Sequence, residues 1–166
     1  MSDPEREATL NAWLDTYGNL IAKTCQLYLN DRTLAEDAAQ ETFIRAWRHM
    51  AQFEARHGAS VQSWLVSIAI NTCRNVRRTA WFRRVDRRVV PEDLPVGEVN
   101  PDHTLLMTVH ELPDGLREVV LLRYFHGMNL DEIAETLGIA RSTAYHRLQK
   151  ALRKLRVDME GGLSDD

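Results

Sequence analysis

Seven arginines (Arg74, Arg77, Arg78, Arg83, Arg84, Arg87 and Arg88) fall within fifteen residues, with Asp86 as the only acid among them. A second concentration lies between Arg141 and Val157, which hold six Lys or Arg and no carboxylate. Guanidinium and ammonium groups at this density attract phosphates; they do not make or break bonds. A basic run can also be a solvated face, but solvated faces ordinarily mix charge signs. Trp81 and Phe82, interleaved with the first run, could stack on bases or pack against neighbouring helices, and packing is the expected role. Covalent chemistry has no candidates. No nucleophile–base pair, phosphate-binding loop or metal set can be assembled, so no catalytic residue, cofactor, metal or small-molecule ligand is expected. Cys25 and Cys73, far apart in helical patterns, read as buried thiols.

The second basic segment needs an element to present it. Asn129 and Glu132 form a capping box that starts one helix. Ile133, Ala134 and Leu137 give it an apolar stripe, and Gly138 ends it where the chain must turn with positive φ. A second helix follows, with Ala144, Leu148, Ala151, Leu152 and Leu155 on one face by 100° steps. Ser142, Thr143, His146, Gln149, Lys150 and Arg153 take the other. Two short helices joined by a tight turn, the second with a donor-rich positive face, make a helix-turn-helix suited to phosphates and base edges in a major groove.

The rest of the chain is all-α in pattern. Residues 8–29 carry a broad apolar stripe (Leu10, Trp13, Leu14, Tyr17, Leu20, Ile21, Thr24, Leu27) in which Gly18 is the weak point. Thr33 and Glu36 suggest a capping box for a helix from Leu34 to about Met50. Its core side is Ala39, Phe43, Ala46, Trp47 and Met50; Asp37, Glu41, Arg45 and Arg48 point away, with Gln40 and Ile44 between. By periodicity alone that outer face could be ordinary solvated surface. After a polar loop, Gln52 to Ser60, a third helix spans Val61 to about Arg78. Residues 89–103 hold three prolines and several acids, the composition of a flexible acidic linker. The expected architecture is two small helical domains, 1–88 and 104–160, joined by that linker and followed by a tail, 161–166. The second domain opens with a short helix, Thr104 to Leu112, then one from Pro113 to Phe125. The net charge of -3 is uninformative; its segregation is not. No stretch of about 18 apolar residues suggests a membrane span, and the acidic N-terminus is unlike a signal peptide; a cytoplasmic protein is expected.

Several of these segments, in order, resemble one family. Ala35-Glu36-Asp37-Ala38-Ala39-Gln40-Glu41-Thr42-Phe43 with Arg45-Ala46-Trp47 is similar to the AEDxxQExFxxxW signature of bacterial sigma factors. Trp64-Leu65, Ile68-Ala69 and Asn71 resemble the WLxxIAxN that follows. Leu112-Pro113, Val119, Leu121-Leu122-Arg123-Tyr124, Gly127, Glu132-Ile133-Ala134-Glu135, Leu137-Gly138-Ile139 and Thr143 resemble their promoter-binding C-terminal domain. Two domains and a short linker look like the extracytoplasmic-function group.

The resemblance implies roles. Asp37, Gln40, Glu41 and Ile44 would dock on the clamp helices of core RNA polymerase. Arg56, His57, Ser60 and Gln62 would line a pocket for flipped bases of the −10 element, while Asn71, Arg74, Asn75, Arg77 and Arg78 hold the melted strand. Arg141, Ser142, Thr143, Tyr145, His146, Gln149, Lys150 and Arg153 would read the −35 element. Promoter DNA and core RNA polymerase are the implied partners, with an anti-sigma factor as a further one. Val61, Asn75, Ala144, Tyr145 and His146 depart from common family choices, which leaves the fold intact but the promoter sequence open. The rival reading is an ordinary helix-turn-helix regulator, which would leave the acidic-glutamine helix without a purpose.

Overall fold

The computed structural model describes residues 2–54, 60–87 and 108–163, and the side chains of these except at 54, 82–87 and 157–163. The expected linker, the start of the short helix at Thr104, Arg56, His57 and the last three residues of the tail lie outside the described residues. All regular structure among the described residues is helical. The chain divides into two compact units, Met1–Val76 and Arg77–Asp166.

In the first unit, α1 (Asp3–Leu29) begins five residues earlier than the apolar stripe suggests. The Ser2 hydroxyl accepts from the Glu5 amide and the Glu5 carboxylate accepts from the Ser2 amide, so a capping box starts the helix before its first buried residue. Glu5 is consequently held below the ordinary carboxylate range by the backbone bond to Ser2. Asn30, in the left-handed region at φ 49°, closes α1. The next helix, α2 (Arg32–Arg48), is capped by Asp31, whose carboxylate accepts from the Leu34 amide at 2.9 Å. This corrects the expected Thr33–Glu36 box: Asp31 takes the cap position, and Glu36 turns to Arg32 at 3.1 Å. Helices α1 and α2 are antiparallel. Arg6 donates to the Trp47 carbonyl at 2.9 Å and lies 4.5 Å over the indole, tying the start of one to the end of the other.

A short α3 (Met50–Glu54) occupies part of what the sequence suggested was loop. It brings Phe53 to Trp13 and Trp64, at ring separations of 5.9 and 5.0 Å, and Trp13 meets Trp64 edge-on at 5.7 Å. Such aromatic groups contribute beyond their area burial. The core is completed by Ile21, Cys25, Tyr28, Ala38, Met50, Leu65, Val66, Ala69, Ile70 and Cys73. Both cysteines are buried thiols, as expected.

Ser60 caps α4 (Val61–Arg87) through its hydroxyl, which accepts from the Ser63 amide at 3.0 Å. This helix runs nine residues beyond the expected end at Arg78. Arginine is a good helix former, and no Gly or Pro intervenes before Pro91.

Gly18 lies in the interior of α1, where glycine costs about 0.5–1 kcal/mol relative to alanine. A Cβ built there meets nothing within 4 Å.

In the second unit, residues 108–111 are helical and α5 (Asp114–Val120) begins after Pro113. It continues as a π turn, Leu121–Phe125, closed by the His126 amide donating to the Leu121 carbonyl five residues back at 3.2 Å. A π turn widens the helix locally. Gly127, at φ 66°, then leads into α6 (Leu130–Leu137). The expected Asn129–Glu132 capping box is present, and Gly138, also at φ 66°, ends α6. The amides of Gly138 and Ile139 both return to the last turn of α6. The long α7 (Arg141–Leu163) follows and runs into the segment expected to be tail. Leu112, Leu116, Val120, Ala151 and Leu155 form one apolar cluster, with Val109 against it.

Burial lowers the His126 pKa from 6.5 to about 4. Above pH 6.5 the imidazole is neutral in both folded and unfolded chains. As pH falls from 6.5 towards 4, the unfolded chain takes up a proton that the folded one does not, so stability is lost across that window. Allowing for screening at its partly exposed surface, the loss should be no more than about 2 kcal/mol. Urea unfolding of the wild type and His126→Gln at pH 7.5, 5 and 4 checks this. The variant should lose less stability on acidification, and parallel curves would refute the assignment.

Candidate functional site

Three surfaces carry the sequence-derived candidates, each on its own helix.

On α2, Asp37 and Gln40 are exposed, Glu41 is half-buried, and Ile44 is 45% exposed. Helical steps place all four within about 100° of arc, which no buried residue interrupts. The Glu41 carboxylate accepts from Arg45 at 3.1 Å, which fixes its rotamer one turn back along the helix. Gln40 and Ile44 also line an apolar groove of about 560 Å³, together with Ala39, Phe43 and Trp47. The far wall belongs to α1: Leu10, Leu14 and Gly18. Those three residues were not among the sequence-derived candidates. Leu10 and Leu14 belong to the apolar stripe of α1, yet Leu14 is 40% exposed. The signal that could have found them is Gly18, a poor helix residue placed on the same stripe.

On α4, Asn71, Arg74, Asn75 and Arg78 share one face, Asn71, Asn75 and Arg78 being exposed and Arg74 half-buried. Arg74 donates to the Asn71 side-chain oxygen at 3.3 Å, which holds both polar ends on that face. Arg77 is half-buried and lies round the helix from Arg74. Gln62, nine positions before Asn71, falls half a turn away from it, and Ser60 is exposed just before the helix. Gln62 is therefore on the side of α4 opposite Asn71. Trp81 is 58% exposed. This differs from the expected packing role, because α4 carries Trp81 past Cys73, its last buried position among the described side chains.

On α7, Ala144, Leu148, Ala151 and Leu155 are buried as expected. Ser142, Tyr145, His146, Gln149 and Arg153 face outward within about 100° of arc, with Lys150 at one edge and Arg141 and Thr143 on the flanks. The Tyr145 and His146 rings meet edge-on at 5.5 Å. Arg141 is ion-paired with Asp131 of α6 at 3.0 Å, both side chains largely exposed, so a phosphate could displace the carboxylate at little cost. Arg156, exposed and close in azimuth to Arg153, extends the basic face one turn beyond the candidate set.

Among the described residues no group of three or more His, Cys, Asp or Glu could hold a metal ion, and no helix is long and apolar enough to cross a membrane.

A basic recognition helix, an arginine-faced helix and an acidic-glutamine helix define a class of protein that joins DNA to a protein machine. The comparisons identify the class. Residues 13–83 match the family model for sigma-70 region 2, and residues 103–155 that for sigma-70 region 4. The chain is 31% identical over 160 residues to the ECF RNA polymerase sigma factor SigL of Mycobacterium tuberculosis, covering 92% of this chain and 90% of that protein. It is 32% identical over 167 residues to the ECF RNA polymerase sigma factor SigW of Bacillus subtilis, covering 88% of each. In fold it is similar to the sigma factor RpoE of Bartonella quintana, solved with the anti-sigma factor NepR (TM-score 0.74, 20% identity, 94% of this chain and 98% of that one). It is similar also to CnrH, solved with the cytosolic domain of CnrY (TM-score 0.70, 24% identity, 93% and 90%). The chain belongs to the ECF RNA polymerase sigma factors. It is an alternative sigma factor, which binds core RNA polymerase and directs promoter-specific transcription initiation.

Proposed function

We propose that the work of initiation is divided among the three surfaces. Asp37, Gln40, Glu41 and Ile44 dock on core RNA polymerase. Arg56, His57, Ser60 and Gln62 take flipped bases of the −10 element, and Asn71, Arg74, Asn75, Arg77 and Arg78 hold the separated strand. The α7 face, Arg141, Ser142, Thr143, Tyr145, His146, Gln149, Lys150 and Arg153, reads the −35 element in the major groove. The observation that carries this reading is charge segregation. From Arg141 to Arg156 the outer face of α7 has cations and hydrogen-bond donors without a carboxylate, whereas the polymerase face of α2 is acidic and amide-bearing.

On this reading the protein contributes binding and positioning, not catalysis, and it acts in the cytoplasm, where transcription takes place. The bulk of duplex-opening energy comes from holding what is opened. Each DNA surface alone binds weakly, and attachment of both to polymerase makes the second contact effectively intramolecular. An anti-sigma factor is the proposed regulator, on the analogy of the RpoE–NepR and CnrH–CnrY complexes. An inhibitor that covers the α2 face would keep the protein from polymerase.

Run-off transcription on genomic fragments with core polymerase tests the reading. Discrete transcripts should appear only when the protein is added. The double reversal Lys150→Glu with Arg153→Glu should reduce them tenfold or more while leaving affinity for core polymerase unchanged. Removing two phosphate contacts should also flatten the slope of log affinity against log salt by about 1.8. Full transcription by the double variant would show that α7 does not grip the promoter.

A further inference from the structure

The geometry points to Gln149 as the residue that sets the sequence read by α7: its amide selects an adenine in the −35 element, and Tyr145 takes the methyl group of a thymine in a neighbouring base pair. The inference rests on the assignment of the α7 face to the −35 element and deepens it by naming the bases.

Arginine or lysine on guanine is the commonest specific contact in a major groove, so the cations come first. Residues near the N-terminus of a recognition helix are the ones that reach base edges. In the first two turns of α7 no cation is free to do so. Arg141 is ion-paired with Asp131 of α6 at 3.0 Å. Arg147 is half-buried with its guanidinium against Gly115 of α5, where an added Cβ would stand 3.4 Å from Nη1 and 3.5 Å from Cζ. Lys150 is the first exposed cation after Arg141, and helical steps put it about 100° round from Gln149, at the edge of the outward arc. Arg153 and Arg156 lie farther along the helix, past the residues that reach bases, and meet phosphates.

What remains on the outer face ahead of Lys150 is Ser142, Tyr145, His146 and Gln149, all exposed. Gln149 alone presents a donor and an acceptor side by side on one planar group. Its side chain has no hydrogen bond to another described residue. That fork matches adenine, whose N6 donates and whose N7 accepts in the major groove. Guanine shows two acceptors along the same edge and would leave the amide oxygen opposite one of them. One turn back, about 40° round and about 6 Å along, stands Tyr145. Its ring is 47% exposed and meets His146 edge-on at 5.5 Å, which holds a flat apolar surface outward beside the amide. Thymine is the base that offers a methyl group to such a surface. Tyr145 and His146 are among the departures from common family choices, so the family pattern does not supply this reading.

The test uses holoenzyme reconstituted from the full-length protein and core polymerase, on a promoter recovered by run-off transcription whose upstream element has been randomised. Wild type should select one position at which A·T is preferred about tenfold or more over the other pairs. Gln149→Ala should lose that preference and keep those at other positions, and Gln149→Arg should turn it to G·C. Base analogues separate contact from DNA shape. Deazaadenine without the N7 acceptor should weaken wild-type binding several-fold and leave Gln149→Ala unaffected. Deoxyuridine in place of the neighbouring thymine should weaken the wild type and leave Tyr145→Ala unaffected; wild-type indifference to it would remove Tyr145 from the reading. Unchanged selection in both Gln149 variants would overturn the inference, and so would an equal loss of affinity on every sequence, the mark of a phosphate contact. If Lys150→Glu with Arg153→Glu still weakens promoter binding in that event, the α7 assignment stands without the base reading. If that variant also binds as the wild type does, the α7 assignment falls as well.

Discussion

Gln40→Ala combined with Glu41→Lys is expected to lower affinity for core RNA polymerase by a hundredfold or more and leave the fold intact. The fold should survive because neither side chain is part of the core. Gln40 is exposed and Glu41 only half-buried, its carboxylate ion-paired with Arg45 at 3.1 Å. A pair of that kind on a helix surface is worth about 0.3–0.5 kcal/mol, and the lysine would stand beside Arg45 as a like charge at a similar cost. The effect on binding should be much larger. Gln40 lies between the apolar groove and the acidic outer face, where an amide can bond to a partner backbone while Ile44 beside it excludes water. Glu41→Lys reverses a charge on the proposed docking face, and like-charge juxtaposition at an interface costs several kcal/mol. Equilibrium titration of labelled protein with core polymerase measures the loss, and circular dichroism confirms the helices. Wild-type affinity in the double variant would remove α2 from the polymerase interface.

What could be read from the sequence depended on how local the code was. The helix-turn-helix was legible because its punctuation lies in neighbouring residues: the reciprocal bonds of Asn129 and Glu132, and the left-handed Gly138. The buried face of α7 followed from periodicity alone, since Ala144, Leu148, Ala151 and Leu155 recur at helical spacing against a single neighbouring core. Where two local codes compete, tertiary context decides between them. Asp31 and Thr33 can both cap a helix, and Asp31 does. Long-range relations left no local mark. Phe53 stands in a stretch of loop-like polar sequence, and only tertiary contact brings it against Trp13 and Trp64. The outer wall of the groove was hidden for the same reason. A stripe of Leu10, Leu14 and Gly18 has the period of a core face whether or not anything covers it. Residue roles were a different matter. Periodicity marked the outer face of α2 as exposed surface, and only the resemblance to sigma factors gave it a partner.

The least legible feature of the second unit is Arg117, and Arg117→Met is expected to cost that unit about 3–5 kcal/mol. An arginine beside Leu116 and ahead of Val119 reads as surface, yet its side chain is fully buried. The reason is the break at Pro113 between the helical residues 108–111 and α5. The guanidinium reaches back across it to carbonyls of the preceding segment. Arg117 donates to the Leu112 carbonyl at 2.5 Å, to the His110 carbonyl, and to the Asp114 carboxylate at 3.0 Å. Methionine matches the length and restores apolar contact, but it offers no donor. The Asp114 carboxylate is 42% exposed and keeps its second ion pair, to Arg77 at 3.3 Å. The two carbonyls lose a charged donor, and a buried acceptor without a partner costs about 1–3 kcal/mol. Lysine would rescue only part of the loss, because one ammonium cannot reproduce the planar fork that spans three acceptors. For a unit of this size the deficit corresponds to a fall in melting temperature of about 12 °C or more. Hydrogen exchange resolves it from the first unit. Amides of Leu116 to Leu122 should lose protection in Arg117→Met, while those of Ile21 to Tyr28 keep theirs. Equal protection in both segments would mean that the buried guanidinium does not hold the turn to α5.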